Sequence, residues 1–142
     1  MKRQTDIDFD REFVKVHRVK AGLDAARKKN TIAVGEMMNP LRQATSRRNP
    51  RSPAFAEPAI IDLAKIMSEM TLKNPILVPT LFSTIGDMLQ KLEKFPDLGG
   101  YCKYLGTREI ELSEQPVTLV YTLGDHTAIT VVACFYMDDV LD

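Results

Sequence analysis

The chain has 142 residues, 44% of them apolar and 27% charged, with no net formal charge. That length supports one hydrophobic core, or one small core with an appended arm. No apolar run approaches the ~20 residues that span a bilayer, and two cysteines with no apolar leader at the start argue against a disulfide framework and for a cytoplasmic chain, or one assembled into a particle there.

The zero net charge hides a strong asymmetry. Residues 1–51 hold 13 Lys/Arg against 6 Asp/Glu, and residues 52–142 hold 6 against 13. A dipolar chain of this kind points to a partner, either an anionic surface for the basic end or a second copy whose acidic face meets it.

In chain order, residues 8–29 read as the first helix. Asp8, Asp10 and Glu12 stand where a helix start favours acids, and Arg27, Lys28 and Lys29 where its end favours bases. Phe13, Val16, Leu23 and Ala26 form a narrow apolar seam suited to a partner helix, and Arg11, Lys15 and Arg18 form a basic row. Gly22 weakens this helix by up to ~1 kcal/mol relative to Ala. Asn39-Pro40 opens a short turn. The stretch 45–53, with Arg47, Arg48 and Arg51, has two prolines and no periodicity, so it reads as a linker where the charge changes sign. The expected division is a basic arm and linker over 1–53 and a body over 54–142.

The body begins with a helix over 58–72, its apolar face made by Ile60, Leu63, Ala64, Met67 and Met70. Asn74-Pro75 then opens a longer helix to residue 94, with Leu81 and Ile85 in the middle of a wide apolar stripe and Pro79 in the first turn. After Gly99-Gly100 the periodicity changes to that of sheet. A weak strand over 101–105 precedes strands at 108–112, 117–123 and 129–136, the last two joined by a hairpin at Gly124-Asp125-His126. Ile129, Val131, Ala133 and Phe135 alternate onto one face. Residues 130–136 are apolar on both faces, so this strand should be central and covered by the two long helices. The fold expected is α+β: a helical arm and linker, then a helix pair packed on an antiparallel meander of three to four strands.

No cofactor or metal site is expected. Asp6, Asp8 and Asp10 resemble the start of a calcium loop, but Arg11 and His17 stand where that loop needs Gly and Glu. Tyr136-Met137-Asp138-Asp139 matches a reverse-transcriptase string without the length for a palm and fingers. No Cys/His spacing fits zinc, and no glycine-rich phosphate loop is present. Cys134 lies in a buried strand and has no base beside it in the sequence, so no catalytic residue is named. The notable polar cluster is Arg42, Arg47, Arg48 and Arg51, since arginine binds phosphates and carboxylates bidentately.

The stretch from Asp87 to Asp142 runs helix, glycine-containing turn at Gly106, strand with Arg108-Glu109, then an apolar hairpin with Leu119-Val120-Tyr121. In layout it resembles the RelE-like ribosome-dependent ribonuclease toxins. That resemblance implies ribonuclease activity from a basic face with His, Arg, Lys or Tyr near the last strands. Here those strands carry Cys134, Tyr136, Asp138 and Asp139 in an acidic region.

The leading expectation is a non-enzymatic interaction or assembly protein, a subunit of a larger complex such as a viral particle. It would dock on a protein partner or a second copy through Arg11, Lys15, Arg18, Arg42, Arg47, Arg48 and Arg51 and the seam Phe13, Val16, Leu23 and Ala26. Alternatives are a small nucleic-acid-binding regulator using the same arm, or a RelE-like toxin. No membrane partner is expected.

Overall fold

Residues 4–33, 53–101, 106–112, 114–123 and 129–136 are described by the structure, a computed structural model, with side chains from residue 14 onward. Helix α1 (Gln4–Arg27) leads into strand β1 (Thr31–Ala33). Strand β2 (Ala54–Ala56) runs directly into helix α2 (Glu57–Lys73). A 3-10 turn (Pro75–Leu77) precedes helix α3 (Val78–Lys94), and strands β3 (Gly100–Tyr101), β4 (Arg108–Glu111), β5 (Val117–Leu123) and β6 (Ile129–Tyr136) follow. The class is α+β, as the sequence implies. Among the described residues the sheet has six strands in the order β1-β2-β6-β5-β4-β3, two more than the meander accounts for. The additions, Thr31–Ala33 and Ala54–Ala56, are three residues each, too short for an alternation to show. Ala54 and Phe55 pair in parallel with Thr130 and Val131, which makes the sheet mixed.

β6 is central, between β2 and β5. Its two apolar faces have different covers. Ile129, Val131, Cys134 and Tyr136 join the core under α2 and α3, with Leu63, Ile66 and Met70 from α2 and Leu81, Ile85, Leu89 and Leu92 from α3. Val132, Ala133 and Phe135 lie on the opposite face with Val120 and with Val19, Leu23 and Ala26 of α1. The two long body helices therefore share one face, and α1 covers the other. Simple alternation fails because of a bulge: Val120 pairs with Ala133 and Tyr121 with Val131, so Val132 is an extra residue. A bulge puts two successive side chains on one face. It moves Ala133 and Phe135 to the α1 side and turns Cys134 and Tyr136 toward α2.

Local chemistry explains the helix bounds. Pro58 lies in the first turn of α2, and the Asn74 N–H closes its last turn by donating to the Met70 carbonyl at 2.7 Å. The helix expected from Pro75 is broken into a 3-10 turn and α3. A continuous helix would need a residue-79 N–H bonded to the residue-75 carbonyl, and Pro79 has none and clashes there. Restarting at Val78 puts Pro79 in the first turn of α3, where the missing donor costs little. Leu81 and Ile85 are fully buried at the centre of the core. Replacing either with Ala should lower the unfolding free energy by about 2–5 kcal/mol in urea titrations. A loss under about 1 kcal/mol would mean that this face of α3 is not packed.

The described part of 1–53 is not a free-standing arm. Val19 is fully buried and Leu23 nearly so, β1 pairs with β2, and the Asn30 carbonyl accepts the Glu57 N–H at 3.0 Å. The seam of α1 is narrow because it fits a strip of sheet. A fragment starting at residue 54 would leave Val120, Val132, Ala133 and Phe135 uncovered. Gly22 belongs to this contact: a Cβ there would fall on the Val132 carbonyl, 2.6 Å from its carbon and closer still to its oxygen.

Candidate functional site

β2 pairs with β6 only at Thr130 and Val131. Beyond them, on that side, two side chains meet the backbone of Cys134. Asp62 Oδ2 accepts the Cys134 N–H at 3.1 Å, and Arg18 donates to the Cys134 carbonyl at 3.1 Å. Arg18 Nε donates to Asp62 Oδ1 at 3.1 Å, and a terminal guanidinium nitrogen lies 2.6 Å from the same oxygen. Since α1 and α2 cover opposite faces, this pair closes around the sheet where β2 stops. The guanidinium also lies over the Phe135 ring, 4.7 Å from its centroid, with the Lys15 ammonium at 5.4 Å.

This geometry changes the reading of the basic row. Arg18 is engaged within the fold, and Lys15 is half-buried against Phe135. Leu23 and Ala26 of the seam face the chain's own sheet, because its second face is apolar and needs a cover; Val16 points outward, 36% exposed. The side chains of Arg11 and Phe13, and all of Arg42, Arg47, Arg48 and Arg51, lie outside the described residues. Asp62 carries no motif that would single it out in the sequence. A lone acid on the apolar side of a predicted helix was the one available signal.

Cys134 is fully buried, and burial with the nearby Asp62 carboxylate pushes its thiol pKa well above the usual range, against a smaller opposing effect of Arg18. A thiol held neutral and out of solvent is not a nucleophile. The folded chain keeps this proton where the unfolded chain releases it. Stability should therefore fall once pH passes the usual thiol range, and Cys134→Ala should lessen that slope by up to ~1.4 kcal/mol per pH unit. Urea titrations of both proteins across alkaline pH measure the difference; identical slopes would mean that the thiol ionises in place. Tyr136 is also buried, its hydroxyl accepting from Asn74 Nδ2 at 2.9 Å. Residues 137–139 of the Tyr-Met-Asp-Asp string lie outside the described residues. Asp6, Asp8 and Asp10 are on helical backbone rather than in a loop. Among the described residues no cluster of His, Cys, Asp and Glu could hold a metal ion, and no helix is long and apolar enough to cross a membrane.

The most elaborate local arrangement is the segment between α3 and β4. The Tyr121 hydroxyl donates to the Pro96 carbonyl at 2.8 Å and accepts the Gly99 N–H at 3.0 Å. Gly99 lacks a side chain where one is impossible: a Cβ would sit 2.6 Å from the Tyr121 hydroxyl and 2.9 Å from the Glu109 carbonyl. Arg108 donates to the Gly99 carbonyl at 2.7 Å, pairs with the Asp97 carboxylate at 3.3 Å, and stacks on Tyr101 at 4.2 Å. Desolvation raises the Tyr121 pKa, so its hydroxyl stays a donor. A segment fixed this firmly turns three large apolar side chains to solvent: Phe95 is 64% exposed, Leu98 50% and Tyr101 84%. Beside them an open hollow of about 410 Å³ is lined by Asp87, Gln90, Lys91, Lys94 and Phe95. Proline and glycines mark this turn in the sequence. Nothing in the local pattern shows that Phe95, Leu98 and Tyr101 remain exposed once the core is filled.

No family model and no curated protein matches the chain. Its functional reading therefore rests on these contacts.

Proposed function

We propose that this chain is a non-enzymatic interaction or assembly protein whose docking surface is the segment 95–101. The observation that carries the reading is the combination of a backbone locked by Tyr121, Arg108 and Gly99 with the exposure of Phe95, Leu98 and Tyr101. Exposed aromatic and aliphatic side chains are the usual anchors of protein interfaces. Holding them in place before contact reduces the ordering cost of association. The basic residues Arg42, Arg47, Arg48 and Arg51 serve in this reading as a second, charged contact. The chemistry of the last strands also favours binding over ribonuclease action: Cys134 and Tyr136 face the helix-covered core, away from any substrate.

The test is site-specific photocrosslinking in the producing cell, with benzoylphenylalanine in place of Tyr101 and, as a control, of the exposed Lys65. Crosslinks to protein from position 101 and none from 65 are expected. The reading fails if position 101 yields no protein crosslink. Salt titration with labelled RNA and DNA separates the regulator alternative. Phosphate contacts give affinity that falls linearly with log salt, by ~0.9 per duplex phosphate neutralised. Loss of that binding in Arg47→Glu/Arg48→Glu/Arg51→Glu, with nothing captured from position 101, would favour the nucleic-acid reading.

A further inference from the structure

β6 is strand-prone along its whole length. Ile129–Tyr136 has four β-branched and two aromatic residues, with no charge, no proline and no glycine. Segments of this composition stack with one another as strands when an edge is open to them. On the β5 side the ladder runs from Ile129 to Tyr136. On the other side β2 pairs only with Thr130 and Val131, and no other strand among the described residues continues along that side. Cys134 stands in the middle of the stretch left without a strand there, 132–136. Its N–H donates to Asp62, and its carbonyl accepts from Arg18.

A neighbouring strand would offer those two backbone groups a carbonyl and an N–H. Asp62 and Arg18 offer them a carboxylate oxygen and a guanidinium N–H instead, and the two side chains are bound to each other. The pairing capacity of Cys134 is used up without creating a new backbone edge that another chain could extend. Inward-pointing charged side chains are one of the ways in which folded proteins blunt an edge. The Arg18 side chain is 32% exposed and that of Asp62 8%, so the strand lies one side chain below the surface. We propose that the Arg18–Asp62 clasp is an edge guard. It keeps β6 closed to an extended segment of another chain, and its opening turns 132–136 into a site for strand pairing between copies. The device is separate from the 95–101 surface, which includes β3 at the far end of the sheet.

The test compares full-length Arg18→Met/Asp62→Leu with the parent, with Asp62→Asn and with Leu81→Ala, which loosens the core and leaves the clasp in place. Sedimentation velocity and thioflavin fluorescence are read at temperatures equally far below each protein's own unfolding midpoint, so that a general loss of stability weighs alike on all of them. The double variant should assemble at a concentration at least about tenfold lower than Leu81→Ala, the shift that two recovered backbone hydrogen bonds supply. In its assemblies the Cys134 amide should exchange its hydrogen more slowly than in the dilute variant. Asp62→Asn keeps an oxygen for that N–H and should resist assembly as the parent does. Where the double variant does not fold, Asp62→Ala takes its place in the comparison. Leu81→Ala assembling as readily as the clasp variant would mean ordinary aggregation of a weakened fold and would overturn the inference. So would a clasp variant that stays monomeric at every concentration, or assemblies in which the Cys134 amide exchanges freely.

Discussion

Replacing Asp62 with alanine is expected to lower the unfolding free energy by about 2–4 kcal/mol, from the penalty of orphaning a buried N–H and breaking a largely buried ion pair. The loss has two sources. The Cys134 N–H, inside the fold, is left without an acceptor. Arg18 loses its counter-charge but, with a side chain about one-third exposed, recovers part of the loss by turning to solvent. The pair is therefore more than a buried salt bridge, and a double variant shows the difference. An ordinary buried pair replaced by apolar residues of similar size is often neutral or stabilising. Arg18→Met/Asp62→Leu should instead remain destabilised, because the Cys134 N–H and carbonyl both stay unpaired. Asp62→Asn, which keeps one oxygen for the Cys134 N–H, should fall between the parent and Asp62→Ala. Urea titrations of the four proteins at one pH settle the order. A double variant as stable as the parent would show that the clasp does not complete the strand.

The second large effect has the opposite sign from the one helix propensity suggests. Gly22 lies inside α1, and on propensity alone Gly22→Ala should stabilise by up to ~1 kcal/mol. The packing reverses this. The added methyl group would meet the backbone carbonyl of Val132, which cannot swing aside like the end of a flexible side chain. α1 must lift from the sheet, loosening Val19, Leu23 and Ala26 from Val120, Val132 and Phe135. Overpacking a well-fitted contact typically costs about 1–3 kcal/mol, so a net loss of about 1–2 kcal/mol is expected after the propensity gain. Gly22→Leu should lose more. Thermal melts followed by circular dichroism read both, and a melting temperature raised by Gly22→Ala would mean that α1 does not lie against β6 as described.

These two residues show where the sequence was legible. The helices at 57–73 and 78–94 follow from apolar side chains spaced at three and four and from prolines near their starts, although the sequence ran the second one from Pro75 and did not show the 3-10 turn at Pro75–Leu77. β4, β5 and β6 follow from alternation, and the central place of β6 from its being apolar on both faces. Those are local properties, and the chain carries them residue by residue. The same sequence gave no sign that Thr31–Ala33 and Ala54–Ala56 are strands, because three residues acquire that conformation only from the neighbour they pair with.

Tertiary structure decided the rest. The seam of α1 looked ready for a partner helix, since a narrow apolar stripe reads the same whether another chain or the chain's own sheet covers it. The fold supplied the cover, with Val132 as the extra residue that turns Phe135 toward α1. The same closure drew Arg18 out of a surface row and set it on Asp62, 44 positions away in the chain. It also joined Tyr121 to Pro96 and Gly99, making a turn into a fixed platform for Phe95, Leu98 and Tyr101. Composition, charge and periodicity are fixed by the residues in order. Which charges remain exposed, and which apolar side chains are left over once the core is filled, depends on contacts between residues far apart in the chain, and these follow from how the layers pack.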